Sequence, residues 1–259
     1  MTHELGDFLR ARRADAALEP QPSRTTRRRV IGLRREEVAA ASGVSIDYYI
    51  RLEQGRESNP SDTVLNALAR TLRLTADATE HLYRLRNRGP SALIAERRVD
   101  DALRDRMTAL VEAVSPHPAY VLDRLSYMVA ANAEGLTLYD GFAGTPPAQR
   151  NTCRYLMNDP RARSTFVEWE ELAHGAVAHL RAANADDLQD SELQAFVGEL
   201  SATNSQFRAW WSGHIVERRR TSIKHLRTDG GDVVALRHEV LYLPEDGLRM
   251  TLWLDPEQR

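Results

Sequence analysis

Apolar residues recur at helical spacing through the first ninety positions and alternate near the carboxyl end, so one chain has to build two unlike architectures. Leu5, Phe8 and Leu9 give one stripe, and Pro20 and Pro22 end that helix. Val38, Ala39 and Ala41 line a second helix, and Ser45 is placed to cap a third that stops at Gly55. Pro60-Ser61 opens a fourth, carrying Leu65, Leu68, Ala69 and Leu72, and a fifth runs from Asp77 to Asn87 with Leu82 and Leu85 inward. Gly89-Pro90 is the best boundary in the chain. Beyond it the spacing predicts a helix over 99–114, two short strands within AYVLDRLSYMVAAN, and a long helix over 160–183 with Phe166, Trp169, Leu172, Ala176 and Leu180 on its apolar face. Two further helices follow, one over 191–202 and one holding Phe207, Trp210 and Trp211. SIKHL, VVALRHEVLYL and LRMTLWL then alternate as strands, with Asp229-Gly230-Gly231 and Glu245-Asp246-Gly247 as hairpin turns. The expected fold is an all-α five-helix domain over 1–90, then an α+β domain over 91–259 whose antiparallel sheet draws strands from both ends of its segment.

Charge divides along the same line. The formal net charge of −2 hides 16 arginines and no lysine against 12 acids in residues 1–90, and an acidic remainder. Between Arg24 and Arg35 there are six arginines and no acid, which suits an anionic partner. The single cysteine, Cys153, excludes an internal disulfide and fits a reducing compartment. Glu4 and Asp7 stand where a signal peptide needs an apolar run, and no stretch approaches the ~18 apolar residues of a membrane span. These features lead to the expectation of a cytoplasmic protein with no membrane partner.

The stretch LRREEVAAASGVSIDYYIRLEQG carries the functional reading. Two short helices joined through Gly43 suit a helix-turn-helix, in which the second helix inserts its N-terminal residues into the DNA major groove. Val44, Tyr49 and Leu52 can pack inward, leaving Ser45, Ile46, Asp47, Tyr48, Ile50 and Arg51 outward. Arg51 could bind guanine through two hydrogen bonds, Asp47 could accept from a cytosine amine, and Ile46 suits thymine methyls. Arg34, Arg35 and the arm of Arg24, Arg27, Arg28 and Arg29 would meet phosphates. Glu53 has a bland alternative, pairing inside the bundle with Arg12 or Arg13. A plain helical bundle with solvated charges also stays open on the residues alone.

The run RRRVIGLRREEVAAASGVSIDYYIRLEQGRESNPSDTVLNALARTLRL resembles the phage-repressor-type (XRE) helix-turn-helix found in actinobacterial MmyB-like regulators. PAYVLDRL, VAAN, RNTCRYL, FVEWEELA, VGELSATNSQF and WWSGHIVERRR resemble the PAS-like ligand-binding domain of the same family. The resemblance implies a transcription regulator on double-stranded operator DNA, with Arg35, Ile46, Asp47 and Arg51 at DNA-contact positions. It also implies a fatty-acid-like or other small apolar ligand, and no cofactor. The chain departs from the family pattern at Thr228-Asp229, where His-Pro is usual, and over 134–148. A homodimer is expected because one recognition helix reads too few base pairs for useful specificity.

Candidate pocket residues are Tyr127, Leu136, Tyr139, Phe142, Tyr155, Trp169 and Trp210, each with a plain core role as its alternative. Asn132 and Asn151 are candidate polar anchors, with helix capping as theirs. Two other classes stand beside the regulator: an antitoxin-like protein-interaction module, and a metal-dependent enzyme using Glu171 with His174 or His214 with Glu217, each pair three apart. The chain has no Gly-rich phosphate loop, no GxSxG and no cysteine pair for zinc.

Overall fold

The structure, a computed structural model, describes residues 4–16, 32–86, 99–228 and 230–257. Pro20, Pro22, the arginines at 24–29, the boundary at Gly89-Pro90 and Asp229 lie outside the described residues.

The head is built from α1 (Glu4–Asp15), α2 (Arg35–Ser42), α3 (Ile46–Glu53), α4 (Asp62–Thr71) and α5 (Ala76–Arg86). Gly43 stops α2 in the left-handed region at φ 67°, a conformation that costs a Cβ-bearing residue roughly 1 kcal/mol. Ser45 restarts the chain, its Oγ accepting the Tyr48 N–H at 3.2 Å, and Ser61 does the same for Val64 in α4. Phe8, Leu9, Val38, Tyr49, Leu52, Leu65, Leu68 and Leu82 are wholly buried, each contributing about 1.5–3 kcal/mol of transfer free energy. Ala41 is exposed, against expectation. The inward line of α2 runs Val38 to Ser42, four residues apart, and Ser42 Oγ donates to Thr71 Oγ1 at 2.9 Å.

The body begins with α6 (Asp101–Glu112), β1 (Ala119–Leu122), β2 (Met128–Ala131) and α7 (Ala133–Thr137). It continues through α8 (Thr152–Asn158), α9 (Pro160–Thr165), α10 (Trp169–Ala183), α11 (Ser191–Thr203) and α12 (Ser205–Ser212). β3 (Ser222–Arg227), β4 (Val233–Leu243) and β5 (Leu248–Leu254) close it. The sheet is antiparallel in the order β2-β1-β5-β4-β3, so β5 does bring the two ends of the segment together.

Alternation along β5 gives the sheet two cores. Leu248 and Met250 join Val121 and Val129 beneath Met107 and Val111 of α6. Arg249, Thr251 and Trp253 point the other way, toward α8 and α10. The helix expected over 160–183 is in fact two. Phe166 leaves the helix to bridge Leu226, Val167 N–H donates to His225 O at 2.9 Å, and Glu168 Oε2 accepts the His225 N–H at 3.0 Å. This detour takes up part of the outer edge of β3. At the opposite edge Tyr127 bridges Asn151 and Met128 N–H donates to Arg150 O at 2.8 Å.

Head and body share one contiguous apolar cluster. Polar contacts run beside it: Arg84 clasps Asp186 through two 2.6 Å bonds, Gln189 reaches Glu4, and Arg12 donates to Gly213 O. These contacts come from α1 and α5, not from α3.

Candidate functional site

Among the described residues, the outer face of α3 is free. Tyr49 and Leu52 are buried, while Ser45, Asp47 and Arg51 are exposed and Ile46 is 38% exposed, an unusual setting for an isoleucine in plain solvent. Tyr48 and Ile50 are half-buried on its flanks, and the Arg51 guanidinium lies 5.7 Å from the Tyr48 ring centre.

The angle of this helix is set by a buried acid. Glu53, fully buried at the end of α3, accepts from Arg13 Nε of α1 at 2.6 Å and from Arg35 Nε of α2 at 2.7 Å. Arg10 adds a bond to the Glu53 carbonyl oxygen at 2.9 Å. Burial alone would push the Glu53 carboxyl up, but the hydrogen bonds and charges of Arg13 and Arg35 outweigh it and hold the group below its ordinary value. Three helices thus converge on one carboxylate. Arg35, expected at DNA, is tied to Glu53 by one nitrogen while its side chain stays 45% exposed. Arg34 is exposed at the start of α2, its N–H bonded to Glu37 Oε2 at 2.7 Å.

In the body a cavity of about 20 Å³ lies between the sheet and α8 and α10. Its walls are Tyr120 and Leu122 of β1, His238 of β4, Arg249, Thr251 and Trp253 of β5, Thr152 and Leu156 of α8, Leu172 and Ala176 of α10, with Tyr139, Phe166 and Arg219. That space holds roughly one water, so any larger guest has to displace aromatic side chains. Tyr139 Oη donates to Tyr120 Oη at 2.8 Å. Arg219 Nη2 donates to Leu172 O at 2.6 Å and Arg249 Nη2 to Ser126 Oγ at 3.3 Å. Burial lowers the pKa of both guanidinium groups, and the charge of Arg219 lowers that of Arg249 further. Among the described residues neither forms a salt bridge with a carboxylate. Arg249 is buried and Arg219 half-buried; Glu217 and Asp123 act on them only through space, so part of their desolvation cost, several kcal/mol for a fully buried cation, stands to be offset by a bound anion. His238 is held neutral, its pKa lowered to about 3 chiefly by burial and then by Arg219, and its Nδ1 has no hydrogen-bond partner among the described residues.

Of the expected pocket residues, Tyr139 lines the cavity; Phe142 stacks on it at 5.0 Å and Tyr155 meets it edge-on at 5.3 Å, one layer behind. The others belong elsewhere. Asn132, wholly buried, caps α7 through Gly135 N–H, accepts from Ala119 N–H and donates to Val111 O and His117 O, which leaves nothing for a ligand. Asn151 caps α8 and donates to Leu125 O. Trp169 donates to Leu156 O and lies 4.1 Å under Arg163, while Trp210 meets His174 at 5.2 Å. Tyr127 lies by Phe196, and neither it nor Leu136 reaches the cavity wall. Thr228 is exposed beside the β3–β4 turn, so its departure from the family pattern does not touch the lining.

Arg219 and Arg249 went unnoticed in the sequence, although Arg249 occupies an inward position of an alternating strand, where an arginine is out of place. The metal-enzyme alternative finds its residues otherwise engaged: Glu171 pairs with Lys224 at 2.5 Å and His174 packs on Trp210. No cluster of three or more potential metal ligands occurs among the described residues. No described helix is long and apolar enough to cross a membrane.

A family model for a helix-turn-helix domain matches residues 4–82, and a model described as the MmyB-like transcription regulator ligand binding domain matches residues 103–257. No curated protein matches the chain.

Proposed function

Since the chain belongs to the MmyB-like transcription regulators, as a DNA-binding protein with a ligand-sensing domain, we propose a specific division of labour between its parts. The outward face of α3 reads base edges in the major groove: Arg51 addresses guanine, Asp47 a cytosine amine and Ile46 a thymine methyl. Ser45 and Tyr48 flank them, while Arg34, the free part of Arg35 and the arm at Arg24, Arg27, Arg28 and Arg29 meet phosphates. The exposure of that face on the assembled chain is the observation that carries this reading. The protein acts as a homodimer on paired half-sites in the cytoplasm, with the division between its domains near residue 90. Family membership points to regulation rather than catalysis.

The cavity takes a small apolar molecule bearing an acid group, such as a short fatty acid. Leu122, Leu156, Phe166 and Trp253 would hold its body, and Arg219 with Arg249, neither in a direct ion pair among the described residues, its carboxylate. Two experiments test the reading. Selection from a randomised duplex pool should return two half-sites about 34 Å apart, or a multiple of that spacing; sequence-blind retention that fades with salt would overturn it. Thermal shifts should rise with straight-chain carboxylates and stay flat with alcohols of equal length, whereas equal responses would remove the anion from the proposal.

A further inference from the structure

Between α12 and β3 the chain runs without helix or strand from Gly213 to Thr221, and this strap carries three consecutive arginines. In an extended chain neighbouring side chains point to opposite sides, and here the two sides are the head and the cavity. Arg218 pairs with Glu80 of α5, and its N–H donates to Asp77 Oδ2 at 2.9 Å. Arg220 Nη2 meets Asp77 Oδ1 at 2.6 Å. Asp77 is itself buried in the first turn of α5, so the strap grips the head at a rooted group.

Arg219 points the other way, into the cavity wall. α10 makes room for it with Gly175, where a Cβ would sit 2.9 Å from Arg219 Nη1. The strap backbone is held by the same wall: Arg219 N–H approaches His179 Nδ1 at 3.4 Å, and Tyr242 Oη donates to Arg219 O at 3.0 Å. The cavity cation is therefore flanked in the chain, on either side, by the residues that make the head contacts. α5 packs on α1, and α1 is joined to α3 through Glu53, so a shift at Asp77 is carried to the reading helix by a rigid bundle.

We propose that the strap at Arg218, Arg219 and Arg220 couples the two sites, so that an anion seated on Arg219 draws the strap toward the cavity and alters the hold of Arg218 and Arg220 on α5. The inference rests on the anion-binding reading of the cavity. A ligand shifts the head only if it favours one strap position over the other, and the exchange of Arg219 from Leu172 O to an anion supplies that preference.

The test uses the full chain, a duplex recovered by selection, and straight-chain carboxylates from butanoate to dodecanoate as probes. The unaltered chain should bind a member of the series and change its DNA affinity by about five-fold or more. The double variant Arg218→Ala/Arg220→Ala should bind that carboxylate within about two-fold of the unaltered chain, while its DNA response falls below about two-fold. Asp77→Asn/Glu80→Gln, which cuts the same contacts from the head side, should reproduce the loss and guards against a folding defect in the first pair. A full response in both double variants overturns the coupling and leaves the cavity reading standing. Failure of the unaltered chain to bind any of the series overturns the cavity reading and the coupling with it.

Discussion

The head and the body each bury charge, and they treat it in opposite ways. In the head, Glu53 is enclosed with two arginines and a third nearby, and its carboxylate is bonded from both sides. In the body, Arg219 and Arg249 share a cavity with phenols, an indole and a neutral histidine, and among the described residues Glu217 and Asp123 act on them only through space, with no direct ion pair. A buried charge with its counter-charge in place is a fixture that sets angles between helices. A buried charge without one is a site whose energetics are completed from outside. The same physics thus separates the part that must hold its shape from the part that must respond.

Several substitutions press on that contrast. Glu53→Gln leaves Arg13 and Arg35 without their acid and should cost about 3–5 kcal/mol in urea unfolding. Arg249→Met, which removes an unpaired cation of similar length, should leave the stability of the unliganded chain level or slightly raised. Equal losses in the two variants would erase the distinction. The same Arg249→Met should weaken carboxylate binding by about 1.5–3 kcal/mol, roughly ten- to a hundred-fold, and leave alcohol binding untouched; titration calorimetry reads both. Arg51→Ala should cost about 1–3 kcal/mol on a selected duplex and relax preference at one base position. Uniform weakening on every sequence would instead make Arg51 a phosphate contact.

Acid gives the gentlest probe. His179 and His238 are held neutral by burial, His238 down to about 3 from an ordinary 6.5, so the stability they supply is complete above 6.5 and is lost as pH falls below it. Glu53 is held below its ordinary value, so its contribution is lost only at more acid pH, as its lowered pKa is crossed. Between pH 6.5 and about 5 the body should weaken by up to about 1.4 kcal/mol per pH unit for each of these two histidines, before the Glu53 contribution begins to be lost. Fluorescence-monitored melting shows the slope, and His238→Gln should flatten it by one histidine's share.

Legibility in the sequence followed periodicity. Five helices, the cap at Ser45, the turn at Gly43 and all five strands could be read from spacing and turn residues, because each is decided by neighbours in the chain. The break at Phe166 to Glu168 could not, since a partner strand sixty residues away pulls those residues out of the helix. The outward face of α3 was visible because one short segment carries its whole surface. The cavity was not, because its polar groups arrive singly from β4, β5 and the strap, each looking like an isolated surface charge until the fold gathers them. Aromatic residues drew the expectation toward Trp169 and Trp210, whose ring N–H or edge serves local packing instead.

The chain's own segments lie along both margins of the sheet, with Phe166 to Glu168 beside β3 and Arg150 to Asn151 beside β2. A ladder with rungs already claimed at its two rails gives a neighbouring strand little to grow from. Another copy of this protein should therefore meet it through side chains and not by extending the backbone ladder.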